Sequence, residues 1–435
     1  MLSRPRGARR PRRQGLLRGQ GWRRRALALA AMAIAACSAA ALAPAGLARA
    51  DIVRSTETWV LNALNVEPAW TTTQGKGVLV AVIDSGVNPD VSDLVGNVRT
   101  GPNLSGVNTS PSDPNWGVHG TWMASLIAGH GHDGGSGIVG TAPESNVLSI
   151  RVITDGDDPH DAQYEREPAA TGQRELAQAI VYAVKHHAGV ISMSLGYSQQ
   201  SRPVRAALQD AYKHNVVVVA SAGNSEGLAR SNASGNAPYS FPANYPGVLG
   251  VAAVNSAGQV ARFSSENLSV QVAAPGYRVP AQGRDGQYWY VSGTSPACAL
   301  TAGVVALIKA AHPQLTDSQI ISAVTSSTTP STRPPGGYND QVGFGEVNAA
   351  DALTAAGKLA AAAPGPAGMA LSSHFGGGLA AIPPAPVPQR GLAVLVLFCV
   401  LGAAGLAVVA FATSKLLTQR DAATSVQGPS WPGPP

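Results

Sequence analysis

Cysteine is scarce in this chain. Only Cys37, Cys298 and Cys399 occur among 435 residues, and they fall in three separate segments. An exported protein could form a disulfide, but no two of these are placed to pair. Stability is therefore expected from packing, without staples. Aromatic residues make up 5% and charged residues 13%, against 45% hydrophobic residues and 49 glycines. That composition predicts an aliphatic, closely packed core. Acidic residues are missing from the first 50 positions, which hold 11 of the 31 Lys+Arg and none of the 25 Asp+Glu. The remaining chain carries 20 basic against 25 acidic residues, a net of −5, so the overall +6 does not describe its body. A nucleic-acid partner is thereby excluded as a reading of the high pI. No internal repeat is present.

The basic N-terminus has the layout of an export signal. Arg4 to Arg25 forms a basic region, Ala26 to Leu42 an apolar one, and Ala48-Arg49-Ala50 an A-x-A cleavage site. Residues 1–50 are expected to be removed, leaving Asp51 as the mature start. Arg12-Arg13 and Arg23-Arg24-Arg25 leave a twin-arginine route open, and Ile34-Ala-Ala-Cys37 resembles a lipoprotein box. Near the other end, Gly391 to Thr413 runs 23 residues without a charge. At about 1.5 Å per residue this crosses a hydrocarbon layer of about 30 Å. Lys415 and Arg420 come after it, which favours a cytoplasmic tail over 414–435. Residues 359–390, rich in Ala, Pro and Gly, read as a tether between a folded domain over 51–358 and the membrane helix. The predicted location is thus the cell membrane, single-pass, with the folded domain outside the cytoplasm.

The middle of the chain alternates apolar runs with helical patterns. Gly77–Ile83, Val147–Val152, Val190–Met193, Val216–Ala220 and Val248–Val254 read as buried strands. Helical periodicity falls at Gly120–Ala128, Glu175–His187, Arg202–Lys213, Ser295–Ala311 and Asp317–Thr325. Continuous Val/Ile runs separated by such helices imply an α/β fold of βαβ units, with a mostly parallel sheet and helices on both faces. Ligands in such sheets meet the carboxyl ends of the strands, and Asp84 directly follows the first one.

Three short segments carry the chemistry: Val-Ile-Asp84-Ser-Gly, His119-Gly-Thr and Gly-Thr-Ser295-Pro. Singly, Asp84 reads equally as a turn residue, and His119 and Ser295 as helix caps. Jointly, in the order Asp, His, Ser, they spell the subtilisin version of the serine-hydrolase triad; chymotrypsin-type and α/β-hydrolase enzymes use other orders. A serine hydroxyl is a poor nucleophile at neutral pH and needs an adjacent base, which neutral imidazole supplies.

Further segments extend the likeness. They are Val217-Val-Val-Ala220-Ser-Ala-Gly-Asn224, Tyr245-Pro-Gly-Val-Leu-Gly-Val-Ala-Ala-Val254, Ala274-Pro-Gly276 and Gly343-Phe-Gly-Glu-Val-Asn-Ala-Ala350. Along residues 58–355 the chain resembles the subtilisin-like serine proteases, whose three-layer fold it is expected to share. The resemblance implies an endopeptidase with Asp84, His119 and Ser295 as catalytic residues. It assigns the oxyanion donors to the Asn224 side chain and the Ser295 N–H. It further implies that Ser194, Leu195 and Gly196 pair with an extended polypeptide substrate, and that Ala222 and Gly223 wall its primary pocket. No cofactor or metal is called for. Pro296 is a departure, since subtilases usually carry a larger apolar residue there, and proline disfavours helical geometry in the residue before it. Cys298 reads as a small packing residue. The acidic insert Asp155-Gly-Asp-Asp158 through Asp161, Glu165 and Glu167 reads as a solvated loop, with calcium or a partner as the alternative.

The terminal membrane span after a Pro-rich tether, with Trp59 and the segment Asn65-Val-Glu-Pro-Ala-Trp70, resembles the mycosins. These are membrane-anchored subtilases associated with type VII secretion. That resemblance implies processing of exported proteins beside a secretion membrane complex. The alternatives are a general cell-surface subtilase, or a secretion scaffold whose proteolysis is dispensable.

Overall fold

Val- and Ile-rich segments with both faces apolar need cover on both sides, and the chain supplies it. The computed structural model describes residues 45–225, 237–329 and 337–362, with isolated positions 407 and 411. Residues 1–368 and 369–435 form separate units, and the first holds the sheet and its helices. The sheet strands are β1 (Leu79–Asp84), β2 (Val98–Asn103), β5 (Asn146–Arg151), β6 (Val190–Met193), β7 (Val217–Ser221), β8 (Val248–Val254) and β9 (Val272–Pro275). They form a seven-stranded sheet in the order β2-β5-β1-β6-β7-β8-β9. Every neighbouring pair in it is parallel. Two short antiparallel hairpins stand apart, β3 (His130–His132) with β4 (Ser136–Val139) and β10 (Val279–Gln282) with β11 (Tyr288–Val291).

The two-residue period of β1 splits its side chains between two cores. Val80 and Val82 join one with the helices Val118–Ala128, Thr294–Ala311, Asp317–Ser326 and Ala349–Ala361. Ala81 and Ile83 join the other with the helices Ala169–Lys185 and Arg202–Lys213. The expected three-layer α/β fold is present. The helix Thr294–Ala311 is long and apolar enough to cross a membrane, yet it is buried in the first core. Its small residues allow close approach: a Cβ at Gly303 would stand 2.6 Å from Thr141 Cβ. The span expected over 391–413, the tail, residues 363–390 of the tether and residues 1–44 of the export signal lie outside the described residues, positions 407 and 411 apart, while the first tether positions, 359–361, instead finish the helix Ala349–Ala361.

Expected elements recur, most with shifts of one or two residues, though the helix expected from Glu175 starts six residues earlier, at Ala169. The first strand starts at Leu79 in place of Gly77, and the helix of Ser295 starts at Thr294. Helix starts obey their side chains: Thr316 and Gln319 form a capping box, and Asn348 accepts from Asp351 N. Strand β2, Val-Arg-Thr-Gly-Pro-Asn, was not foreseeable from alternation. It is an edge strand, where proline is tolerated, and its register shifts between Thr100 and Asn103.

Candidate active site

Strands β1, β6 and β7 are adjacent in the middle of the sheet, so the loops at their carboxyl ends converge. Asp84 closes β1 and is 1% exposed. Its Oδ1 accepts from Ser85 N at 2.7 Å and from His119 Nδ1 at 2.8 Å. Its Oδ2 is buried with no partner among the described residues.

His119 is the second residue of the helix Val118–Ala128. The Gly-Thr after it has a packing reason. A Cβ at Gly120 would come within 2.1 Å of Gly86 O, so only glycine lets the helix lie against the β1 turn. Gly120 N also donates to Ser85 Oγ at 3.0 Å. Thr121 Oγ1 donates to Gly117 O at 2.5 Å and accepts from Asn88 N at 2.9 Å.

Ser295 is the second residue of its helix, whose N-cap is Gly293 (φ 156°). The hydroxyl donates to Ser194 O at 3.3 Å, while Ser194 Oγ donates to Ser295 O at 3.1 Å. Pro296 is the third helical residue, where an N–H lacks an intrahelical partner in any case, and Ser295 keeps its place in the helix before it. A cavity of about 230 Å³ opens over both groups, lined by His119, Ser295, Trp122, Met123, Trp289 and Tyr290 among others.

The remaining expected residues surround this point. Asn224 Oδ1 accepts from Thr294 N at 2.9 Å and Thr294 Oγ1 at 3.0 Å, which fixes the amide plane. A Cβ at Gly293 would stand 3.4 Å from Asn224 Nδ2 and 3.6 Å from Ser295 N, so both donors flank one spot that glycine leaves open. Ser194, Leu195 and Gly196 come after β6, the first two buried and Gly196 exposed. Ala222 and Gly223 come after β7; Ala222 is buried, and Gly223 N (φ 106°) donates to Thr294 Oγ1 at 3.2 Å.

Electrostatics favour a charged imidazole. Burial opposes protonation of His119, but the charge and hydrogen bond of Asp84 outweigh it, with Asp155 adding to them, and its pKa lies above the usual range. Burial pushes the Cys298 thiol up to about 11, in keeping with a packing role.

The acidic insert is solvated only in part: Asp157, Glu165 and Glu167 are exposed, but its other carboxylates are tied down. Asp155 is partly buried, and its carboxylate accepts from Val118 N at 2.9 Å and His119 N at 3.0 Å. Asp158 is 5% exposed and pairs with the buried Arg151 at 2.7 Å. Asp161 accepts from Thr154 Oγ1 at 2.6 Å. The loop is tied into the protein because its carboxylates meet N–H groups and a guanidinium that burial would otherwise leave unpaired. Sequence reasoning missed Asp155 as a neighbour of His119, and also the aromatic rim of Trp122, Trp289 and Tyr290. Among the described residues, no group of His, Cys, Asp or Glu is arranged to hold a metal ion.

Residues 75–345 match the subtilase family, Peptidase S8. The chain belongs to that family. Subtilisin from Bacillus pumilus is 34% identical over 255 residues, covering 59% of this chain and 85% of that one. Subtilisin E from Bacillus subtilis is 33% identical over 255 residues, which span only 61% of its length. MycP1 from Mycobacterium smegmatis aligns at a TM-score of 0.55 and 29% identity, covering 68% of this chain and 84% of that one. MycP3, described as a protease from the type VII (ESX-3) secretion system, aligns at 0.56 and 30%, covering 68% and 87%. The chain is thus a subtilisin-like serine protease with mycosins among its structural neighbours.

Proposed function

We propose that this subtilase is a membrane-anchored, extracytoplasmic endopeptidase that cleaves through Asp84, His119 and Ser295 and processes exported proteins of a type VII secretion system. The observation that carries the chemistry is the 2.8 Å contact of His119 Nδ1 with buried Asp84, on the same cavity as Ser295. Asp84 accepts a hydrogen bond from Nδ1–H, which leaves Nε2 free as the base. The Ser295 hydroxyl turns from Ser194 O toward Nε2, gives up its proton and attacks the scissile carbonyl. The carbonyl oxygen takes the electron pair of the broken π bond and receives hydrogen bonds from Asn224 Nδ2 and Ser295 N. Collapse expels the amine, which takes the proton back from His119, and leaves an acyl-Ser295 ester. Water, deprotonated by the same imidazole, then attacks the ester, and the Ser295 oxygen leaves with that proton from His119 as the acid is released.

Pro296 does not interfere with this scheme, because the donor is the N–H of Ser295 and not that of the next residue. Ser194, Leu195 and Gly196 offer their backbone to an extended substrate, and Ala222 and Gly223 wall the pocket for the side chain before the scissile bond. The charge-free run 391–413 supports the membrane anchor, and residues 1–50 support export. The likeness to MycP1 and MycP3 supports the link to type VII secretion.

The test is fluorophosphonate labelling of the full-length chain beside Ser295→Ala. Labelling of the wild type alone is expected; a folded wild type that stays unlabelled refutes the proposed chemistry. Loss of cleaved secreted proteins in a host carrying Ser295→Ala is the expected physiological counterpart.

A further inference from the structure

The helix that carries His119 has no cap of its own. Its N-cap is Gly117, held at φ 73°, and a Cβ there would come within 3.0 Å of the Gly86 backbone. The position therefore requires glycine, and glycine brings no side-chain acceptor. The first N–H groups of a helix also form the positive end of its dipole. His119 sits at that end, so the bare helix disfavours the imidazolium that forms when Ser295 is deprotonated.

We propose that Asp155 is a positioning residue for His119, its carboxylate fixing the first helical turn and offsetting the positive helix end where the imidazolium forms. The geometry is bidentate. Oδ2 accepts from Val118 N at 2.9 Å and Oδ1 from His119 N at 3.0 Å. Asp155 comes from the loop after β5, 36 residues beyond His119. Strand β5 is the hydrogen-bonded neighbour of β1, which ends in Asp84. The two carboxylates thus reach His119 from adjacent strand ends: Asp84 holds the ring, and Asp155 holds the backbone. The buried Arg151–Asp158 pair at 2.7 Å fixes the same loop three residues further on.

The charged groups that act on this arrangement are few. Asp84 and Asp155 both favour the charged form of His119. Asp155 in turn feels burial and Asp84, which favour its neutral form, against its two N–H donors and His119, which favour the carboxylate. Arg284, in the turn between β10 and β11, also interacts with Asp155.

This inference rests on the proposed function for its catalytic meaning, but its test does not. In the full-length chain with carbon-13-labelled histidine, the His119 ring is one of nine to resolve, assigned by its loss in His119→Gln. Its titration midpoint is read by NMR in the wild type, Asp155→Asn and Asp155→Ala. Asparagine keeps an acceptor and loses the charge. The midpoint is expected to fall by roughly half to one unit in both variants, about three- to ten-fold weaker proton binding. The thermal midpoint should fall more in Asp155→Ala than in Asp155→Asn. A midpoint unmoved in Asp155→Asn overturns the proposal and leaves Asp155 a structural cap only. Fluorophosphonate labelling of the same proteins reads the consequence: its acid limb should track the NMR midpoint, and a limb that ignores a shifted midpoint also overturns it. An unlabelled wild type refutes the proposed function, while the NMR comparison still decides the role of Asp155.

Discussion

Glu57 lies in the N-terminal helix Ala45–Ala63 and is 2% exposed. Its two carboxylate oxygens stand 3.1 and 3.0 Å from Val139 N, and Arg54 lies at 3.6 Å. Burial dominates its titration and pushes the pKa from 4.5 to about 8, against the Val139 N–H and Arg54 and with help from Asp93. The folded state therefore holds a proton that the unfolded chain has released. Stability from this group is intact below about pH 4.5 and falls by about 1.4 kcal/mol per unit until the folded group itself ionises near 8. At pH 7 the cost is about 3 kcal/mol, and at pH 8 about 4 kcal/mol. In Glu57→Gln, the amide oxygen still accepts from Val139 N and nothing ionises. The variant should lie within about 1 kcal/mol of the wild type at pH 5 and exceed it by about 4 kcal/mol at pH 8, roughly 8 °C in Tm for a domain of this size. Thermal melts of both full-length proteins from pH 5 to 9 measure the difference. Parallel curves, or a variant less stable at pH 8, refute the reasoning.

Asn224→Ala removes one of the two donors beside Gly293, and kcat on a casein digest should drop by about 10²–10³ with KM little changed. The acid limb of kcat/KM should lie above the usual histidine range near 6.5, because the base must be neutral and Asp84 favours its protonated form. A limb below that value contradicts the electrostatics of the Asp84–His119 pair. Arg151→Met removes the counter-charge of Asp158, whose side chain is 0% exposed and keeps only the Thr109 hydroxyl and His160 N–H as donors, and should cost about 3–5 kcal/mol in chemical denaturation. Adding Asp158→Asn to it should recover part of that loss.

The centre of the fold was legible because its strands are continuous. Val-Leu-Val-Ala-Val-Ile and Val-Leu-Gly-Val-Ala-Ala-Val carry apolar residues on both faces, and no half-exposed strand needs that. The site was legible for a related reason. His119 and Ser295 each stand near a glycine that the backbone requires, as the 2.1 Å approach of a Cβ at Gly120 to Gly86 O and the φ of 156° at Gly293 show. Chemistry and packing then write one short motif together. The edge strand β2 and the hairpin β10–β11 lack such constraints, and the hairpin carries Trp289 and Tyr290 to the cavity rim across a contact that no local pattern encodes.

Asp155 escaped the sequence for the opposite reason to the triad. Its acidic neighbours suggested solvent, and its contacts are with residues 36 and 37 positions earlier. Yet one half of the pair was written at the motif. A residue at φ 73° pressed against the Gly86 backbone must be glycine, so the His119 helix could never be capped by its own N-cap side chain. Tight packing around Asp84 thus creates an unmet demand for an acceptor at the positive end of that helix. A carboxylate meets that demand better than a hydroxyl, because in the proposed mechanism the imidazole beside it becomes positively charged when Ser295 is deprotonated. The glycine before the histidine and the aspartate after β5 are two ends of one requirement, and only the fold joins them.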